Sequence, residues 1–307
     1  MISLATRAPF HLEATVRVLQ RRPANAVDLW ERSAYERVLT LSRGDVLIEV
    51  KDHGTVDNPD LRLSIRAGDA SAGTRAEAGA AARRILGLDI DPAPLQRSVN
   101  AQSSIRATCS ALRGMRPPRF ASLFETFASI VPFQQLSLDA GIAIVARLVM
   151  RFGSKLEHDG RRFRAFPTAS RVAKARVASL RSCGLSQQKA LTLIGLARLI
   201  EAGELTEADV TGMSTRAALA RLTALPGIGP WTAGLVLLRG LGRLDVFPPG
   251  DVGAARGLRA LTGLDPRALE PFIAGFGEHR GYLYFCALGA SLLSKGYIHS
   301  APRNART

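Results

Sequence analysis

The chemistry of this chain is most legible at Leu225-Pro226-Gly227-Ile228-Gly229-Pro230-Trp231-Thr232-Ala233-Gly234, where two glycines stand two apart between helix-like apolar runs. Leu219, Leu222 and Leu225 repeat at helical spacing and Pro230 suits the first position of a new helix, so the glycines fall in a tight turn between two helices. Without side chains, residues 227 and 229 leave their amides open beside a helix start, where unpaired N–H groups and the helix dipole favour an anion. A nucleic-acid phosphate fits such a site, although an isolated Gly-x-Gly that merely packs two helices reads the same way. Even as an anchor, the turn reports backbone binding alone, which carries no sequence information. About twenty residues on, Pro248-Pro249-Gly250-Asp251 makes a stiff loop whose acid opens another helical run. Asp251 reads as a helix N-cap. A carboxylate pinned in one orientation is also what an electrostatic catalyst requires, and the two roles are compatible. Asp245, nearer the middle of an apolar stretch, is a weaker candidate.

These residues need elements to hold them. Residues 9–66 alternate apolar and polar in short pieces, among them 46–50 and 61–65, and are expected to form antiparallel strands. Residues 74–86 and 95–112 are expected to be helices, the first with Arg83 and Arg84 in its last turn and Gly87 just beyond. Arg113-Gly114-Met115-Arg116-Pro117-Pro118 breaks the pattern, and strand-like alternation largely disappears after it. The expected division is a mixed α/β lobe over 1–114, a helical domain over 115–299 and a flexible tail over 300–307. Within the second unit, helices are expected over 120–130, 138–152, 168–182, 186–202, 206–212, 215–224 and 230–240.

Composition limits the function classes. Across 307 residues, 41 Lys plus Arg face 26 Asp plus Glu, a net charge of +15 spread along the chain, which suits a polyanionic partner. Only Lys51, Lys155, Lys174, Lys189 and Lys295 are lysines, so an arginine-rich genome accounts for part of the excess. Cys109, Cys183 and Cys286 show no CxxC spacing; they read as ordinary thiols of a reducing compartment and are too few for a zinc site or an iron–sulfur cluster. The first residues lack a signal-peptide core and no apolar run approaches the ~18 residues of a membrane span, so the expectation is a soluble cytoplasmic protein.

Taken together, the LPGIGPWTA turn, the Pro-Gly loop and Asp251 resemble the helix-hairpin-helix DNA glycosylase superfamily, most closely its bacterial 3-methyladenine DNA glycosylase II branch. The resemblance extends to residues 124–137, to Phe166-Pro167-Thr168 and to Arg280-Gly281-Tyr282. It implies an α+β chain in which an antiparallel sheet lobe, similar to the TATA-binding-protein fold, precedes a mainly helical glycosylase domain of two lobes. It also implies base excision repair of double-stranded DNA by a nucleoid-associated monomer. A damaged nucleotide, of the 3-methyladenine or 7-methylguanine type, would be flipped out of the stack and its N-glycosidic bond hydrolysed.

Residue by residue, the resemblance makes Asp251 the catalytic carboxylate. Gly227, Gly229 and Thr232 become the DNA-backbone anchor, a place where a monovalent cation is also allowed. Trp231, Tyr282 and His279 become candidate pocket residues, and Gln135 stands where the family inserts a wedge into DNA. Bifunctional members carry a lysine where this chain has Trp231, so a monofunctional hydrolase without metal or cluster is implied. An indole face attracts cationic alkylated purines; packing of the hairpin is the other use of Trp231. Gln135 replaces an apolar wedge, and His279 replaces a second pocket tryptophan, a position where a lone histidine is more often structural. The alternative reading is a non-catalytic DNA-binding or damage-recognition protein that keeps the hairpin.

Overall fold

The computed structural model describes residues 1–301. Its first lobe is built on five antiparallel strands, β1 (Ile2–Leu4), β2 (Leu29–Glu31), β3 (Ala34–Leu41), β4 (Gly44–Asp52) and β5 (Leu61–Ala67), in the order β1-β5-β4-β3-β2. Side chains alternate across the sheet. Val46, Ile48 and Val50 of β4 enter the main core with Tyr35 and Leu39 of β3, beneath α1 (Leu12–Gln20) and α2 (Ala72–Leu86), while Val38 and Leu47 face the other way. Helices α3 (Pro92–Asn100) and α4 (Ser103–Ala111) follow, α4 packed on the later helices spanning Val252–Thr262 and Tyr282–Ser294.

The helical domain runs through α5 (Leu123–Ala128), α6 (Leu138–Phe152), α7 (Ala169–Ala173), α8 (Val177–Arg181), α9 (Gln187–Glu201), α10 (Glu207–Thr211), α11 (Thr215–Thr223), α12 (Pro230–Leu235), α13 (Val252–Thr262), α14 (Pro266–Ala274) and α15 (Tyr282–Ser294). The chain is therefore α+β, a sheet lobe followed by a helical domain. The starts of α6, α9 and α11 fall where Ser137, Ser186 and Ser214 accept hydrogen bonds from the amides of Ala140, Lys189 and Ala217. Such caps satisfy amides that no helical carbonyl reaches.

Four local expectations give way. Helix α1 lies inside the stretch expected to be strands, because its buried Ala14, Thr15, Val18 and Leu19 form a helical stripe; its cap is His11, whose Nδ1 accepts from Ala14 N at 3.2 Å. Residues 95–112 divide at Ala101 and Gln102, a break that lets Leu95 and Val99 of α3 and Ile105 and Cys109 of α4 all reach the core. Residues 168–182 divide into α7 and α8, which bury Val172 and Leu180 separately. A hairpin of β6 (Lys155–His158) and β7 (Arg161–Arg164) also stands in the helical domain, turning at Asp159 (φ +47°) and Gly160 (φ +71°). Two central residues at positive φ match the twist of a two-residue hairpin. Phe163 and the following Ala165 lie on Val38 and Leu47, so this hairpin covers the outer face of the first lobe's sheet.

Polar groups tie the lobes as well. Arg37 of β3 is buried between Asp28 (2.8 Å) and Glu125 of α5. Arg84 of α2 forms a fork with Glu207 and donates to the carbonyl of Gly240. Arg116, in the segment between the lobes, donates to the carbonyls of Pro9 and Arg7. Cys109 and Cys286, distant in sequence, bring their Sγ atoms to 3.3 Å in the core. Ala301 N donates to Ala111 O, and the remainder of the expected tail, residues 302–307, lies outside the described residues. No helix among the described residues is long and apolar enough to cross a membrane.

Candidate active site

Helices α11 and α12 form the hairpin, and its glycines do different work. Gly227 sits at φ +79°, and a Cβ there would come within 2.1 Å of the Thr192 Oγ1 on α9, so both backbone conformation and packing demand glycine. Gly229 has ordinary extended dihedrals, and a Cβ on it would meet nothing within 4 Å. Ile228 and Leu225 are buried beneath the turn, while Pro226, Gly227, Gly229 and Pro230 are exposed. The apolar residues therefore anchor a turn whose outer rim, at the start of α12, is open.

Asp251 caps α13. Its Oδ1 accepts from Ala254 N at 2.8 Å and its Oδ2 from Trp231 Nε1 at 2.9 Å, so each carboxylate oxygen is held by a donor from a different element. The approach of the two elements depends on Gly234 of α12: a Cβ there would lie 2.8 Å from Pro249 and 3.1 Å from Pro248. The Pro-Pro loop rests directly on that bare backbone, turns at Gly250 (φ +69°) and delivers Asp251 to the indole. Trp231 and Asp251 are both half-buried. Asp245 is engaged elsewhere, accepting from the Thr215 hydroxyl at the start of α11.

The other expected site residues separate. Thr232 is 2% exposed and its hydroxyl accepts from Gln134 Nε2 at 2.9 Å, so its side chain braces the turn from inside and is not presented to a phosphate. Tyr282 is buried with its hydroxyl toward Met115 O (3.4 Å), burial pushes its phenol well up, and its ring packs in the core. His279 lies against Ser98 of α3, Nδ1 to Oγ 3.2 Å. Gln135 is exposed and holds φ +55°, a left-handed conformation uncommon outside glycine. Residues in such regions persist where surrounding contacts over-determine them.

Those contacts come from two residues that the motif reading passed over. Gln134 Nε2 donates to Gly227 O (3.0 Å) as well as to Thr232, and Lys189 Nζ, at the start of α9, donates to the carbonyls of Pro132 (3.2 Å) and Gln134 (2.6 Å). Gln135 and the glycine turn are thereby braced as one unit. Burial draws the Lys189 ammonium below its ordinary value. The only sequence sign of this bracing is the pairing of two glutamines just before the Ser137 cap.

Residues 128–271 match the family model described as HhH-GPD superfamily base excision DNA repair protein, and residues 1–122 match that of the AlkA N-terminal domain. The chain thus carries an HhH-GPD domain with an AlkA N-terminal domain ahead of it. It is 30% identical over 178 residues to the DNA-3-methyladenine glycosylase of Bacillus subtilis (strain 168), covering 58% of this chain and 59% of that protein. It is also 30% identical over 255 residues to the probable bifunctional transcriptional activator/DNA repair enzyme AlkA of Mycobacterium tuberculosis (strain CDC 1551 / Oshkosh), covering 82% of this chain but 49% of the relative. The chain thus spans roughly half of the length of these curated relatives. A solved 3-methyladenine DNA glycosylase from Archaeoglobus fulgidus superposes with a TM-score of 0.78 at 26% identity, covering 95% of this chain and 98% of that one.

Proposed function

We propose that this chain is a monofunctional DNA glycosylase that flips alkylated purines from duplex DNA and hydrolyses their N-glycosidic bond. The observation that carries the reading is the carboxylate of Asp251, held by the Ala254 amide and the Trp231 indole beside the glycine turn. As the bond from the sugar to the purine stretches, its electron pair leaves with the base and positive charge builds on the sugar ring. A carboxylate already oriented by two donors stabilises that charge without reorganising. Water then bonds to the anomeric carbon and passes a proton to the surrounding solvent as the hydroxyl forms. In this reading the open amides at Gly227 and Gly229 hold a backbone phosphate, and the braced Gln135 fills the stack where the base has left. Trp231 presents an aromatic surface to the alkylated purine, which is cationic until the bond breaks.

The test is release of free methylated purines from methylated duplex DNA. Asp251→Asn keeps an N-cap side chain, so the protein is expected to fold and bind DNA as before while excision falls by about 10²–10³-fold. An Asp251→Asn protein that excises like the parent overturns the mechanism. A parent that binds duplex in a salt-dependent way and releases no base from any alkylated substrate makes the chain a damage-recognition protein instead.

A further inference from the structure

Where the two lobes meet, a cavity of about 50 Å³ is bounded by Arg21, Arg239, Phe120 and Phe133. Arg239 belongs to the turn of π-helix, Val236–Gly240, that follows α12; such turns are rare and recur at functional sites. Its side chain is fully buried, stacks over Phe120 at 4.6 Å and lies beside Tyr284, yet its Nε and Nη2 have no partner. Arg21 closes α1 at φ +61°, lies 5.5 Å over the Phe133 ring and donates from Nη2 to the Tyr284 hydroxyl at 2.5 Å; its Nε is also unpartnered. Two guanidinium groups thus converge on one tyrosine and leave three buried donors without a partner.

The local charge does not balance. Asp28 and Glu125 also border the cavity, but Arg37 lies between them and donates to both. Three guanidinium groups face two carboxylates, which leaves one positive charge without a counterpart. Buried charges are ordinarily paired. Burial, with Arg21 alongside, draws Arg239 down to about 9, still a cation at neutral pH. The space is about four times what one water molecule requires. We infer that this cavity binds one small monovalent anion, of the halide, nitrate or formate class, held between Arg21 of the first lobe and Arg239 of the helical domain. The anion pairs the free donors, supplies the missing negative charge and joins the lobes next to Phe133, one residue before the braced glutamines.

Crystals of the full chain soaked in sodium bromide and measured at the bromine edge test this directly. The expected result is one anomalous peak within hydrogen-bonding distance of Arg239 Nη2 and Arg21 Nε; water density at that position with no anomalous signal overturns the proposal. In solution at fixed ionic strength, replacing gluconate with bromide is expected to raise the Tm in a saturable way, and an equal Tm in both salts overturns it. Arg239→Met removes the larger share of donors. If that variant fails to fold, Arg21→Met at the cavity edge is expected to lose the bromide-specific shift; a full shift in Arg21→Met overturns the site.

Discussion

Asp251 and Trp231 depend on each other through one hydrogen bond, which gives the indole nitrogen a part of its own in orienting the carboxylate. Trp231→Phe keeps an aromatic ring and removes the donor to Oδ2. A hydrogen bond to a charged group contributes about 1.5–3 kcal/mol, so the excision rate constant under single-turnover conditions is expected to fall about tenfold or more, with DNA affinity little changed. The two turn glycines should separate equally well. Gly227→Ala meets both positive φ and Thr192, and is expected to cost at least about 1–3 kcal/mol of stability, read as a lowered urea midpoint. Gly229→Ala places its methyl in open space at ordinary dihedrals; its Tm is expected to hold while duplex affinity drops. This contrast was hidden in the motif, where both positions are simply Gly. Gly234 was in plain sight in the same stretch, but nothing local tells that a loop fifteen residues further on rests against it. Gln134 and Lys189 were silent because an amide and an ammonium that brace carbonyls have no fixed spacing to announce them.

Among elements, helices with Ser caps were legible because cap and apolar stripe agree locally, as at Ser137, Ser186 and Ser214. Helix α1 was not, since Val16 and Val18 alternate with polar residues like a strand and its cap is a histidine. That cap carries a pH dependence. His11 accepts through Nδ1 from Ala14 N while Nε2 faces His299 O at 3.2 Å, which requires the neutral ring, and burial lowers its pKa below 6.5. A folded-state pKa below the unfolded one means stability that is complete above about pH 6.5 and is lost as pH falls through the folded value. The protection factors of the amides at the start of α1, exchange rates corrected for the intrinsic pH dependence, are therefore expected to fall on acidification below that range. His11→Asn, an N-cap that does not titrate, should hold those protection factors constant; protection that falls equally in the variant assigns the effect to another group.

Over the whole molecule, the division into a sheet lobe and a helical domain was readable from where alternation stops, but the grip between the lobes was not. It rests on long-range partners: Arg37 with Glu125, Arg84 with Glu207, and the β6–β7 hairpin on the back of the first sheet. The Asp159-Gly160 turn was a local sign of that hairpin, outweighed by helical patterning on both sides. Because Arg37 spans both lobes, Glu125→Gln leaves a buried guanidinium short of one carboxylate, a change that costs about 3–5 kcal/mol. Both lobes are expected to unfold in one transition at a lowered midpoint, followed by far-UV circular dichroism and Trp30 and Trp231 fluorescence together; two separated transitions would show the lobes to be energetically independent.

The hairpin on the outer sheet face also bears on the order in which the chain is made. Val38 and Leu47 leave the ribosome well before Phe163 and Ala165, the residues that cover them. A first lobe that folds during synthesis therefore waits with an apolar face bare until the second has begun to emerge, and that interval is where a chaperone would find this protein.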